Sequence, residues 1–362
     1  MGFSCGLIGL PNAGKSTIFN ALCSGDARVE SYPFCTIEAN VGTVAVPDDR
    51  LDRLSALYPD KKKVATHLEF VDVAGLVAGA SEGEGMGNQF LSEIRSVDTV
   101  LHVVRCFSDP NVAHIEGAID PANDIEVVET ELLLKDYETL SRLQDRVSRE
   151  ARSGDRAAIV RADSLGKVVQ SLAEGVPVRD QTVEHSIDDL LRDVSPLTAK
   201  PLLYVANAGD SGENDWVRAV LRKAEESGCE AVAIQGRIEA EVAEVAGDEE
   251  ERSEYLREWG IVNGGLRRLI QSGYRSLSLV SFFTVEGPEV RAWTVAEGTA
   301  APQAGAKIHT DFANRFVLAE VINLEELLKA GSERALREEG SVRRAGRDYV
   351  VADGDVIHFI CS

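Results

Sequence analysis

Short apolar runs of strand length recur through the first two thirds of the chain: Phe3 to Gly9, Leu68 to Val71, Thr99 to Phe107, Pro201 to Ala206 and Ala231 to Ile234. Ile18 to Cys23 follows the first run in a helical pattern. Buried strands interleaved with helical segments mark an α/β fold. Between the third and fourth runs, Asp124 to Arg152 lacks Gly and Pro and places Leu133, Tyr137, Leu140, Leu143 and Val147 at steps of three and four. Ser153-Gly154-Asp155 offers a turn, and a second seam of Ala158, Ala162, Leu165, Val169 and Leu172 runs to a stop at Glu174-Gly175-Val176-Pro177. Two such seams predict an antiparallel helical hairpin that projects as an arm. Two ordinary domain helices are the other reading. From Ser281 onward the runs Phe282–Val285, Ala292–Val295, Phe316–Ala319 and Asp355–Phe359, with a short helix over Leu324–Lys329, predict a small α+β domain.

Composition narrows the class. The 362 residues are 44% hydrophobic and 27% charged, which is globular, and 38 Lys+Arg against 60 Asp+Glu give a net charge of −22. That excess opposes a protein coating nucleic acid over its whole surface, and no DNA partner is expected. No apolar run reaches the roughly 20 residues of a membrane-spanning helix. The first residues carry no basic region ahead of a short apolar stretch, so no signal peptide is expected. Six scattered cysteines form no C-x-x-C pair, so a reducing cytoplasm is expected, without zinc or disulfides.

Chemistry enters directly after the first run. Gly9-Leu10-Pro11-Asn12-Ala13-Gly14-Lys15-Ser16-Thr17 is G-x-x-x-x-G-K-[ST] between strand and helix. Glycines let the backbone wrap around phosphates with inward N–H groups, and the new helix adds its positive end. Asn12, Ala13, Gly14, Lys15, Ser16 and Thr17 are the expected binding residues, with Lys15 reaching the β and γ phosphates and Ser16 ligating Mg²⁺. Downstream, Val71-Asp72-Val73-Ala74-Gly75-Leu76 supplies Asp72 for an indirect Mg²⁺ contact and Gly75 beside the γ phosphate. Thr36, in Tyr32-Pro33-Phe34-Cys35-Thr36-Ile37, is either a second Mg²⁺ hydroxyl or a strand-entry threonine. Tyr32 to Asn40 and Gly75 to Asn88 read as switch loops. Leu76 stands where small GTPases carry a water-orienting Gln, and leucine has no polar atom to orient water. His114 is the candidate replacement, or else an ordinary loop histidine.

The strings GLPNAGKST, YPFCTIEAN, DVAGL with GEGMGNQF, RAWTVAEGTAAPQAG and HTDF together resemble the YchF/Obg-like ATPase family, almost end to end. The resemblance implies a translation-factor-class P-loop NTPase with three parts. These are a nucleotide-binding domain at 1–123 and 196–278, an inserted helical coiled-coil arm at 124–195, and a C-terminal TGS domain of β-grasp type at 279–362. It implies ATP favoured over GTP, a hydrophobic residue in place of the catalytic Gln, and a ribosome or ribosomal RNA as partner. Asn12 matches an asparagine of potassium-stimulated relatives, which implies K⁺ beside Mg²⁺.

Asn207-Ala208-Gly209-Asp210 follows the fourth run where GTPases place Asn-Lys-x-Asp. The Lys is lost, as in the ATPases, yet Asp210 keeps the acid that reads guanine, where the ATPases resembled carry Glu. Asn207, Ala208, Gly209 and, further on, Gln235 are the expected base-side residues. The arm from Leu140 to Gln170 carries seven Lys/Arg and four Asp/Glu, net +3, suited to RNA phosphates or to a solvated ion-paired face. The C-terminal domain carries nine Lys/Arg and thirteen Asp/Glu, net −4, which opposes wholesale RNA capture by it. The expected function is slow Mg²⁺-dependent ATP hydrolysis that switches the surface shown to ribosomes, with Lys15 and His114 catalytic. A GTPase of ribosome assembly and a nucleotide-gated binding module with incidental hydrolysis are the alternatives.

Overall fold

The computed structural model describes residues 2–24, 41–73, 86–112, 118–210, 212–247 and 249–362. In chain order the first elements are β1 (Ser4–Ile8), α1 (Lys15–Ser24), β2 (Val41–Ala45), α2 (Asp49–Ala56), β3 (Lys62–Val64), β4 (His67–Asp72), α3 (Met86–Ser96) and β5 (Thr99–Arg105). Then follow α4 (Pro121–Ala151), α5 (Arg156–Ala173), α6 (Asp188–Val194), β6 (Leu202–Asn207), α7 (Asp215–Glu226), β7 (Glu230–Ile234), α8 (Gly236–Val245), α9 (Glu249–Glu258) and α10 (Gly265–Ser276). The last are β8 (Leu279–Thr284), β9 (Glu289–Ala296), α11 (Ala301–Ile308), α12 (Asp311–Arg315), β10 (Phe316–Asn323), α13 (Leu324–Ala330), α14 (Glu333–Glu339), β11 (Arg343–Ala345) and β12 (Asp355–Cys361).

Packing divides the chain into one unit of Met1–Val44 with Glu69–Gly273 and another of Ala45–Leu68 with Tyr274–Ser362. The first unit is built on a sheet of order β2-β4-β1-β5-β6-β7. β1 runs parallel to β4 and β5, β5 to β6, and β6 to β7. β1, β5 and β6 are buried along their whole length, as expected for parallel strands covered on both faces. From β1 the chain goes to β4 on one side and β5 on the other, so the carboxyl end of β1 lies at a topological switch point, where open α/β sheets bind ligands.

The hairpin forms as expected, with a fuller account of its ends. α4 starts three residues before the expected Asp124, because Asp120 accepts from the N–H groups of Ala122 and Asn123 at 3.1 and 3.2 Å and Pro121 suits the first helical position. Gly154, at φ +81°, makes the turn, and Asp155 caps α5. Leu140, Leu143, Val147, Leu165, Val169 and Leu172 are buried between the helices, joined by Val178 and Ile187 from the return segment. Tyr137, expected on the seam, is instead 40% exposed, because α4 turns Asp136 inward. Asp136 accepts from the N–H groups of Leu197 and Thr198 at 2.9 and 2.7 Å and from the Thr198 hydroxyl at 2.7 Å.

The second unit holds a sheet of order β11-β10-β12-β8-β9-β3, in which β12 lies parallel to β8. One face packs Phe282, Phe316, Ile357 and Phe359 against Ala301 and Ala304 of α11. The other packs Phe283, Val290, Ile322 and Val356 against Leu51 and Leu54 of α2, which are 3% and 0% exposed. Arg53 adds a two-pronged pair with Glu325 at 2.7 and 2.8 Å. Residues 45–68, placed in the nucleotide-binding part by the resemblance, instead pack as part of the C-terminal unit. Their place between two phosphate-site motifs concealed that α2 covers a sheet more than 200 residues away in sequence.

His358 sits between Glu286, 3.4 Å from Nδ1, and Glu333, 3.0 Å from Nε2, while the Tyr58 hydroxyl donates to Glu333 at 3.1 Å. Glu286 and Glu333 raise the imidazole from 6.5 to about 9 against the opposing effect of burial. A raised folded-state value means that the stabilisation is complete below the unfolded value and is lost as pH climbs through the folded one. Denaturation midpoints of the wild type are expected to fall between pH about 6.5 and 9, and those of His358→Gln to lose that component. Equal pH dependence in the two proteins would overturn this.

Candidate nucleotide-binding site

β1 delivers the chain, at Ile8, to a loop whose backbone has few alternatives. Gly9 has φ +143°, and a Cβ there would lie 2.3 Å from the carbonyl oxygen of Val103 in β5. Asn12 takes a left-handed φ of +64°, tolerated by asparagine better than by most side chains. Gly14 has φ +95°, and a Cβ on it would meet Asn207 Nδ2 at 2.2 Å. The loop closes through Ala13 N–H to Leu10 O at 3.3 Å, and Gly14 O accepts from Ile18 N–H at 3.0 Å to open α1. The first-turn N–H groups of Lys15, Ser16 and Thr17 have no intrahelical acceptor in such a geometry, which makes the turn an anion site.

Lys15 is only 7% exposed and folds back over the loop, donating from Nζ to Gly9 O at 3.0 Å and Leu10 O at 3.1 Å. Burial lowers its pKa, with Asp72 opposing. Behind it in β5, buried His102 is pushed down to about 3 by desolvation and by the Lys15 charge, so its imidazole is neutral. Ser16 Oγ donates to Asp72 Oδ2, at the end of β4, at 2.7 Å. A hydroxyl and a carboxylate oxygen at that spacing are hard donors of the kind Mg²⁺ takes. Among the described residues no group of three or more His, Cys, Asp or Glu could hold a metal.

The base side is tied to this loop by one side chain. Asn207, 3% exposed at the end of β6, donates from Nδ2 to Ala13 O at 2.9 Å and accepts on Oδ1 from Gly209 N–H at 3.2 Å. Ala208 N–H donates to Ile234 O at 2.8 Å, and Gln235 Nε2 donates to Asp210 O at 3.3 Å. Asp210 Oδ2 lies 3.2 Å from Arg237 Nη1. Asn12 to Thr17, Asp72, Asn207 to Gly209 and Gln235 thus converge at the carboxyl edge of the sheet. Thr36, Gly75, Leu76 and His114 lie outside the described residues, as do Tyr32–Asn40 and 75–85 of the two expected switch loops, whereas 86–88, expected as the end of the second loop, are instead the first turn of α3. Sequence reasoning passed over Arg105, His102 and Arg237. Arg105, the buried last residue of β5, donates to Phe107 O at 3.1 Å and Val112 O at 2.9 Å, which shapes the segment after the strand. A charged residue inside an otherwise apolar strand run was the available signal.

A glycine-rich loop around a buried lysine, a hydroxyl held on the next strand's carboxylate, and an asparagine joining loop to base side define a P-loop NTPase of the GTPase type. A family model described as 50S ribosome-binding GTPase matches residues 4–136, and a C-terminal model of YchF GTPases, described as a protein of unknown function, matches 279–362. Ribosome-binding ATPase YchF of Haemophilus ducreyi is 45% identical over 361 residues, 99% of each chain, and that of Bacillus subtilis is 44% identical over 364 residues, again 99% of each. The solved YchF GTPase of Schizosaccharomyces pombe superposes with a TM-score of 0.88 at 33% identity, covering 99% of this chain and 97% of that one. The chain belongs to the YchF family.

Asn207→Ala removes two bonds from buried groups and leaves the Ala13 carbonyl without its donor. A loss of about 1–3 kcal/mol in stability is expected. With it should go about a tenfold loss in nucleotide affinity, from loosening of the P-loop against the base side. Calorimetric titration checks this, and unchanged affinity would show that Asn207 does not couple the two.

Proposed function

We propose that this protein is a Mg²⁺-dependent, ATP-preferring hydrolase whose nucleotide state controls binding to the ribosome. The observation that carries the reading is the cluster of Lys15, Ser16 and Asp72 at the start of α1. Lys15 supplies a fixed positive charge to the β and γ phosphates, the first-turn N–H groups supply oriented donors, and Ser16 with Asp72 would hold Mg²⁺. Bound Mg²⁺ would neutralise phosphate charge. Because Leu76 offers no polar atom, we assign the orientation of attacking water to His114, and Thr36 and Gly75 to the Mg²⁺ and γ-phosphate contacts. Preference for ATP is supported by the missing Lys in Asn207-Ala208-Gly209-Asp210 and by the ATPase names of the bacterial relatives. Asn12, beside the phosphates, is the proposed link to K⁺. No described helix is long and apolar enough to cross a membrane, and we place the protein in the cytoplasm.

The ribosome reading is supported by the relatives' names and by the arm. Of the arm's seven cations, Arg146, Arg152, Arg156 and Arg161 are exposed and form no ion pair among the described residues, which favours a phosphate-facing surface over a self-paired one. We assign the three-part division accordingly, with the arm as the RNA-reaching element and the TGS module in a shape-based or regulatory contact.

Titration with ATP and GTP, with and without ribosomes, is expected to show tighter ATP binding and nucleotide-dependent co-sedimentation. Changing Arg146, Arg152 and Arg156 to Glu should abolish the ribosome contact and leave ATP binding intact. Clear GTP preference, or co-sedimentation indifferent to the triple change, would overturn the corresponding part. His114→Ala should bind ATP and lose turnover, and wild-type turnover should be faster in KCl than in NaCl. Normal turnover by the variant would remove His114 from the mechanism.

A further inference from the structure

The ion pair between the base-side loop and the first turn of α8 has no place in the nucleotide motifs, yet it engages the residue on which base selectivity turns. Asp210 Oδ2 lies 3.2 Å from Arg237 Nη1, and Arg237 Nε lies 3.2 Å from Glu241 Oε1, one turn further along α8. Gln235 Nε2 holds the main-chain oxygen of Asp210 at 3.3 Å. Side chain and main chain of Asp210 are therefore both bound to the start of α8. Arg237 in turn is braced by Glu241.

Guanine presents N1–H and a 2-amino group, and a carboxylate reads both by accepting with its oxygens. A guanidinium on one of those oxygens takes up acceptor capacity. It also sets N–H donors and positive charge beside the donors that guanine would bring, a repulsive element of the kind that creates specificity. Adenine carries an acceptor at N1 and no 2-amino group, so it loses nothing when the carboxylate is occupied. We propose that Arg237 is a specificity-determining residue that masks Asp210 and thereby excludes guanine from a loop whose acid would otherwise read it. The proposal rests on the reading of Asn207–Asp210 as the base-side loop and deepens the ATP preference proposed above.

The mask has a signature that a structural role lacks. Arg237 and Asp210 side chains are 63% and 50% exposed, so their attraction is weak and screened by salt. Phosphate contacts are common to both nucleotides and cancel in a ratio of affinities. The ratio of guanine to adenine affinity should therefore rise with ionic strength in the wild type and not when the ion pair is removed.

The test is titration of the full chain with ADP and GDP, in Mg²⁺, at salt concentrations from about 50 to about 500 mM. Arg237→Ala is expected to move the affinity ratio toward guanine by about fivefold at low salt, the scale of one exposed ion pair. Arg237→Lys should retain most of the wild-type ratio, and Asp210→Ala added to Arg237→Ala should erase the gain. The wild-type ratio should drift toward guanine as salt rises, and that of Arg237→Ala should stay level. An unmoved ratio in Arg237→Ala with adenine still preferred by the wild type sinks the mask and leaves the ATP reading standing, as does a gain that survives loss of Asp210. A wild type that prefers GDP at low salt sinks both.

Discussion

A lysine ammonium withdrawn from water is the constraint around which the nucleotide-binding unit is arranged. Taking a cation out of solvent is costly unless partners replace its hydration. Here two carbonyls of the same loop, Gly9 O and Leu10 O, do part of that, while burial lowers the pKa of Lys15 and Asp72 opposes the shift. In the same loop Gly9 and Asn12 adopt positive φ, and Gly9 has no space for a side chain against β5. A triphosphate would supply the missing negative charge. By linkage, binding of such an anion should stabilise the folded protein.

One side chain likewise joins the glycine-rich loop to the segment after β6. Three consecutive strands of the sheet, β1, β5 and β6, end at this edge, and Asn207 at the tip of β6 reaches back to Ala13 in the phosphate loop. Around that bond the packing tolerates only glycine at two places: a Cβ at Gly14 or at Gly236 would enter the Asn207 amide. The glycines of this site serve close approach between segments as much as conformational freedom.

What the chain reveals of itself follows from the range of the interactions. The phosphate loop, Asp72 and Asn207 are legible because each depends on a local pattern, strand then turn, whose residue types admit few other uses. The helical hairpin is legible from periodicity, and even its error at Tyr137 is instructive, since a seam drawn from apolar residues alone cannot anticipate that buried Asp136 takes the inward position to serve Leu197 and Thr198. Arg237 and the packing of α2 on the C-terminal sheet were not legible. Both depend on contacts between segments far apart in sequence, the first across more than twenty residues and the second across more than two hundred.

The arm is joined to the nucleotide site more firmly than a projecting hairpin need be. Asp136 of α4 fixes the backbone at Leu197 and Thr198, just ahead of β6, and Glu129 of α4 receives the hydroxyl of Tyr204 within β6. These bonds bind the base of α4 both to the turn that leads into β6 and to the middle of that strand, whose end bears Asn207. The bland view of the hairpin, a solvated appendage with its own small core, does not account for a buried carboxylate committed three times to a neighbouring segment. Buried polar groups so engaged fix one geometry at the expense of others. The base of α4 is thereby fixed to β6, and any load carried along the arm from the exposed arginines near its tip reaches the same strand whose end bears Asn207.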